Sequence, residues 1–164
     1  MDKIKKILAP TDLSDLSREG VRYALNLAKA VGAEVTLYHV VSYEELIDYG
    51  QEIRENTGSY YDFRPRDSVL ERYRLALTRF LRDHFSDLVP GIRIREKVEM
   101  GRADENIVEE AKNEGVDLIV LSTHGRTGLS HMLLGSVTEK VVRHAPCPVL
   151  SIHPRLETAT RRVA

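Results

Sequence analysis

The chain has 164 residues, enough for one domain with a real core and too few for two comfortable ones. Its 24 basic and 25 acidic side chains nearly cancel, so it carries no electrostatic footprint for nucleic acid or an anionic membrane, and no apolar run reaches membrane-spanning length. One cysteine, Cys147, excludes an internal disulfide; Lys3, Lys5 and Lys6 precede too short an apolar run for a signal peptide, so the expected setting is the reducing cytoplasm.

Lys3 to Ala9, with Ile4, Ile7 and Leu8, reads as the first strand, ended by Pro10-Thr11-Asp12, which turns the chain. From about Ser14, Val21, Ala24, Leu25, Ala28 and Val31 share one helical face, and Gly32 is placed to end the helix. Glu34 to Val41 is rich in β-branched residues and reads as the second strand, so a right-handed parallel crossover is expected. In 42–66, Tyr43, Tyr49, Tyr60, Tyr61 and Phe63 are scattered among charges, and Gly50, Gly58 and Pro65 interrupt any helix. The segment is expected as an irregular insertion with short helical pieces, either a plain connection or a surface over a ligand or partner.

Asp67 to Asp87 carries Val69, Leu70, Tyr73, Leu77, Phe80 and Leu81, the apolar stripe of a helix. Ile92, Ile94, Glu96 and Val98 alternate with Arg93, Arg95, Lys97 and Glu99, which predicts a half-exposed strand at a sheet edge. Met100-Gly101 turns into a helix from Asp104 that ends at Gly115. Val116, Leu118, Ile119, Val120 and Leu121 suit a strand covered on both faces, and Pro148 to Ile152 forms the last strand, with a disordered tail expected over 155–164.

Between those last two strands lies a glycine-punctuated stretch with Gly125, Gly128 and Gly135 and hydroxyls at Ser122, Thr123, Thr127, Ser130 and Ser136. Ser136-Val137-Thr138-Glu139 reads as a capping box ahead of a helix with Val141 and Val142. Glycines let backbone N–H groups approach a ligand, and a helix N-terminus adds unpaired donors, so the stretch predicts an anion site, most economically for phosphate.

The elements sum to an α/β fold, a doubly wound parallel sheet of five strands. An exposed third strand fits the order 3-2-1-4-5, whose ligand crevice lies at the carboxyl ends of the first and fourth strands. Pro10-Thr11-Asp12 and the stretch that begins Ser122-Thr123-His124 therefore converge on one crevice.

The spacing resembles the nucleotide loop of the universal stress protein family, G-x2-G-x9-G-[S/T]. Gly125 matches the second glycine, nine residues follow, Gly135-Ser136 closes the motif, and Ser122 stands where the first glycine is expected. The tail SVTEKVVRHAPCPVLSI (Ser136 to Ile152) continues the likeness, which covers a single domain over 1–154 apart from 42–66. The resemblance implies an adenine nucleotide alpha-hydrolase-like fold and binding of ATP, with Mg2+ held through the phosphates. It implies that Asp12 meets the ribose, that Val40 and Val41 flank adenine with backbone groups reading its edge, and that Met100 and Gly101 line the pocket. Gly125, Arg126, Gly135, Ser136 and Val137 would meet the phosphates. It also implies a homodimer through the last strand and a role as a stress-response sensor or adaptor for a protein partner that the sequence does not identify.

Each residue has a plainer alternative. Asp12 could turn or cap the chain, Val40 could be strand core, Ser136 could cap its own helix, and Arg126 could be a solvated charge. Sharper chemistries find no support. There is no G-x-x-x-x-G-K-[S/T], no G-x-G-x-x-G after the first strand, and no Cys/His spacing that makes a metal set from His124, His131 and His144. Ser130 and His131 lack a G-x-S-x-G context, and Cys147, between prolines, reads as buried and inert. Asp12 is the one acid placed in the crevice, so binding without fast turnover is expected, against a nucleotide-free scaffold or a slow ATPase.

Overall fold

The computed structural model of the chain describes residues 3–57, 65–124 and 135–153. Five parallel strands form one sheet in the order β3-β2-β1-β4-β5, as the alternation of elements predicts. They are β1 (Lys6–Pro10), β2 (Glu34–Val41), β3 (Arg93–Met100), β4 (Leu118–Ser122) and β5 (Val149–Ile152). The helices are α1 (Arg18–Val31), α2 (Tyr43–Thr57), α3 (Pro65–Phe85), α4 (Ala103–Asn113) and α5 (Ser136–His144).

Alternate strand residues feed two cores. Ile7, Ala9, Val35, Leu37, Val41, Val98 and Val120 pack with Val21, Leu25, Leu77 and Phe85 of α1 and α3. Leu8, Tyr38, Ile119 and Leu121 pack on the other face with Ile107, Ala111 and Val141 of α4 and α5. The near-continuous apolar runs of β1 and β4 follow from this double cover.

Pro10 extends β1 instead of ending it, in register with Tyr38. Backbone N–H directions explain why. Thr11 donates to the Tyr38 carbonyl, while the Lys6 carbonyl on the opposite side accepts from Asp117. Pro10 shares the Lys6 side, beyond Leu8↔Ile119, where β1 and β4 have parted, so its missing donor costs no ladder bond. That parting opens the switch-point crevice.

The segment after β2 is also more regular than its composition predicts. α2 runs for 15 residues. Ser42 starts it with a reciprocal box: Glu45 N–H donates to Ser42 Oγ (3.2 Å) and Ser42 N–H donates to Glu45 Oε2 (2.7 Å). Gly50 sits inside the helix with open space around it, a cost of about 1 kcal/mol that propagation and packing on α3 absorb. There, Tyr73 donates to Glu45 (2.8 Å) and Arg72 pairs with Glu52 (2.6 Å). Pro65 begins α3 as its first residue, where a missing N–H is harmless. Gly58, Tyr60, Tyr61 and Phe63, and the 155–164 tail, lie outside the described residues.

β3 takes the predicted edge, and its charged face meets α4. Glu110 is buried at 4% exposure and accepts from Lys97 (2.5 Å), which also pairs with Glu99 (3.0 Å). Tyr38 donates to Glu99 (2.5 Å), and burial together with that carboxylate pushes the phenol well above its ordinary pKa. Burial would raise Glu99, but bonds from Tyr38 and Lys97 outweigh it and hold the carboxylate below its usual range.

Asp117 and Asp104 are depressed as well. N–H groups of Lys5 and Lys6 hold Asp117 down, and at Asp104 burial is outweighed by Lys140 and further bonds. A folded-state pKa below the unfolded value gives stability that is present above the unfolded pKa and lost as pH falls through the folded one. The urea midpoint should therefore hold from pH 7 to about 5 and drop below about pH 4. A midpoint that rises between pH 5 and pH 3 would contradict these assignments.

Candidate functional site

The crevice is a cavity of about 240 Å³, close to the lower end of small-ligand pockets. One wall is the loop after β1. Thr11 Oγ1 accepts the Leu13 N–H (3.1 Å) and lies 2.8 Å from Ser17 Oγ. Ser17 spends its own proton on the Ser14 carbonyl (2.8 Å), so Thr11 is the donor in that hydroxyl pair. Asp12 Oδ1 accepts both the N–H (3.0 Å) and the hydroxyl (2.6 Å) of Ser14, an Asx-type turn that supports Leu13 at φ 65°. The Thr11 carbonyl accepts from Nδ1 of His39 (2.8 Å), a residue 2% exposed. Asp12 thus does turn the chain, and it lines the cavity as well.

The opposite wall is the end of β4 and the start of α5. Ser122 holds three elements together. Its Oγ accepts the Gly20 N–H (3.0 Å) in the first turn of α1, where Ser17 supplies no side-chain cap. Its carbonyl accepts the hydroxyl of Thr138 in α5 (3.0 Å). A Cβ on Gly20 would sit 2.7 Å from Ser122 N, so glycine is what lets α1 approach β4 this closely.

α5 begins one residue earlier than a capping box at Ser136 requires. Gly135 is the N-cap, with no side-chain cap, and its carbonyl accepts the Glu139 N–H (2.9 Å). Ser136 is therefore a first-turn residue rather than the cap. Gly135 donates to the Thr123 carbonyl (2.7 Å), and a Cβ there would meet the same oxygen at 2.8 Å.

Pro10, Thr11, Asp12, Val40, Ser122, Thr123, His124, Gly135, Ser136 and Val137 all line this cavity. Val41 does not, because consecutive strand residues face opposite ways: Val40 opens to the cavity and Val41 lies in the α1–α3 core. Met100 falls on that second face too and borders a separate groove beside α3. Gly101 donates to the Val41 carbonyl (3.0 Å), and the Asn106 side chain occupies the space a Cβ would need. Gly125 and Arg126 lie outside the described residues. Ser17, Tyr38, Ala103, Ile107, Leu121 and Thr138 also line the cavity and escape motif reading. The period of β2 could have indicated Tyr38, since it shares a face with Val40.

The universal stress protein family model matches residues 3–153, and the chain belongs to this family. Universal stress protein MJ0531 of Methanocaldococcus jannaschii is 34% identical over 90% of this chain and 81% of its own length. Universal stress protein A homolog 2 of Coxiella burnetii is 33% identical over 93% and 97%. Universal stress protein MJ0577 of M. jannaschii is 28% identical, and its solved structure superposes with a TM-score of 0.73 over 94% of this chain and 99% of that one. Among the described residues, no helix is long and apolar enough to cross a membrane.

Gly20→Ala should destabilise the protein by about 1–3 kcal/mol through forced overpacking against the β4 backbone. Ser122→Ala should cost about 1 kcal/mol, the loss of a helix cap. Urea denaturation of both variants checks the pair; a neutral Gly20→Ala would contradict the close α1–β4 approach.

Proposed function

We propose that the chain binds ATP in this cavity, with Mg2+ held through the phosphates, as a dimeric cytoplasmic sensor or adaptor. The observation that carries the reading is the start of α5. Its first-turn N–H groups have no intrahelical partner, the N-cap Gly135 supplies no side-chain cap, and Ser136, Val137 and Thr138 line the cavity that Asp12 and Val40 line from the other side. Phosphates meet those N–H groups, ribose hydroxyls meet the Asp12 carboxylate, and the base lies against Val40, Ile107 and Val137. Asp12 is the one carboxylate among the described lining residues. With no second carboxylate among the described lining residues, the site is read as favouring retention of nucleotide over turnover. The half-buried, apolar β5 lies at the free sheet edge and suits isologous pairing with a second copy.

Ser136→Asp separates binding from folding. An acidic residue in the first turn favours the helix but repels a phosphate. The variant should keep or raise the melting temperature while ATP–Mg2+ affinity, read by calorimetry, falls by about tenfold or more, roughly 1.4 kcal/mol. Unchanged affinity would remove the phosphates from α5. Sedimentation at micromolar concentration should give a dimer, and a monomer would remove the β5 contact.

A further inference from the structure

Parallel pairing of β4 with β5 brings together two histidines far apart in sequence. Ser122 stands in register with Ile152, and Thr123 donates to the Ile152 carbonyl (2.8 Å), so the chains leave the sheet side by side. His124 Nδ1 then lies 2.9 Å from Thr123 Oγ1, and His153 Nδ1 lies 3.2 Å from the same oxygen. The two rings stand edge to face with centres 5.4 Å apart. His124 lines the cavity; His153 does not.

We infer that His124 and His153 form a two-imidazole site for a zinc-class divalent cation, whose remaining positions are filled by phosphate oxygens of the nucleotide. The inference rests on the nucleotide reading above for those last ligands. The geometry is that of a pair of ligands: with Zn–N bonds of about 2.0–2.1 Å and tetrahedral angles, two bound imidazoles have ring centres about 5 Å apart. Both Nδ1 atoms already converge on one point, which the Thr123 hydroxyl now fills. That hydroxyl has one proton, so it donates to one Nδ1 at most, and the other ring must present an N–H. A cation binds between the two Nδ1 atoms when Thr123 rotates away, the rings close in from hydrogen-bond to Zn–N distance, and the second ring moves its proton from Nδ1 to Nε2. Two imidazoles fill two of the four positions of a tetrahedral cation, so the pair by itself leaves positions for a further ligand. Open positions characterise sites that hold a ligand through the metal, whereas closed four-ligand sets are structural. Imidazole also selects the zinc, nickel and copper class over Mg2+, so this cation is distinct from one carried by the phosphates alone.

The test is a Zn2+ titration of the full chain with ATP present, read by the 15N shifts of the histidine rings and by equilibrium dialysis. One Zn2+ per chain should move Nδ1 of His124 and His153 together. His153→Gln should weaken Zn2+ binding at least about tenfold, and His144→Gln should leave it unchanged. ATP–Mg2+ binding by the wild type is measured separately. If ATP–Mg2+ binds and Zn2+ moves neither ring, or His153→Gln retains native Zn2+ affinity, the cation site is wrong and the nucleotide reading stands. If no ATP–Mg2+ binds, the nucleotide reading and the phosphate-completed site both fall.

Discussion

At Ser122 a strand end, two helix starts and a neighbouring strand are fixed by a few hydrogen bonds. The side-chain oxygen caps α1, the carbonyl takes the Thr138 hydroxyl of α5, and the residue pairs in register with Ile152. This matters because β1 and β4 separate after Leu8↔Ile119, so no ladder bond joins the two walls of the crevice beyond that point. The α1 cap does that job from one layer away. Gly20 is the condition for it, since any larger residue would push α1 off the β4 backbone. The cavity walls therefore depend on a polar tie between layers more than on the sheet alone.

This gives Ser122 a role that the family motif does not express. A glycine at that position would supply backbone approach; serine supplies a helix cap, and the two uses draw on different atoms. Ser122 lines the crevice while its hydroxyl is engaged with Gly20. Gly135 is similar. Its lack of a Cβ is needed for contact with the Thr123 carbonyl whatever ligand lies beyond. Substituting this glycine would disturb the fold and the cavity together, which is why an acidic Ser136 is the cleaner probe.

The sheet order, the edge position of β3 and the convergence of Asp12 with the Ser122–Ser136 wall were legible in the sequence, because each rests on local periodicity and parallel topology. The errors have local causes too. Gly50 and scattered tyrosines hid α2, although Ser42-Tyr43-Glu44-Glu45 is a capping box that is formed in full. The similar pattern at Ser136 to Glu139 is not used, since the chain reaches helical geometry with Gly135 as cap. Family position brings Val41 and Met100 to the site, and strand alternation turns their side chains toward α1 and α3, which leaves the backbone contact expected of Val41 untouched. His153 could not be paired with His124 from spacing, because strand register alone brings them together.

The proposed division of labour, with anion at α5, ribose at Asp12 and base at Val40, makes the protein a holder of nucleotide. The most direct measurement is the ultraviolet spectrum of the purified protein, followed by chromatography of what heat releases and by uptake of added ATP–Mg2+. With seven tyrosines and no tryptophan, the chain leaves the 260 nm region open to a bound adenine. Retention or stoichiometric uptake of ATP is the predicted result. A protein that is purified empty and takes up no ATP–Mg2+ would contradict the account and leave a nucleotide-free scaffold in its place.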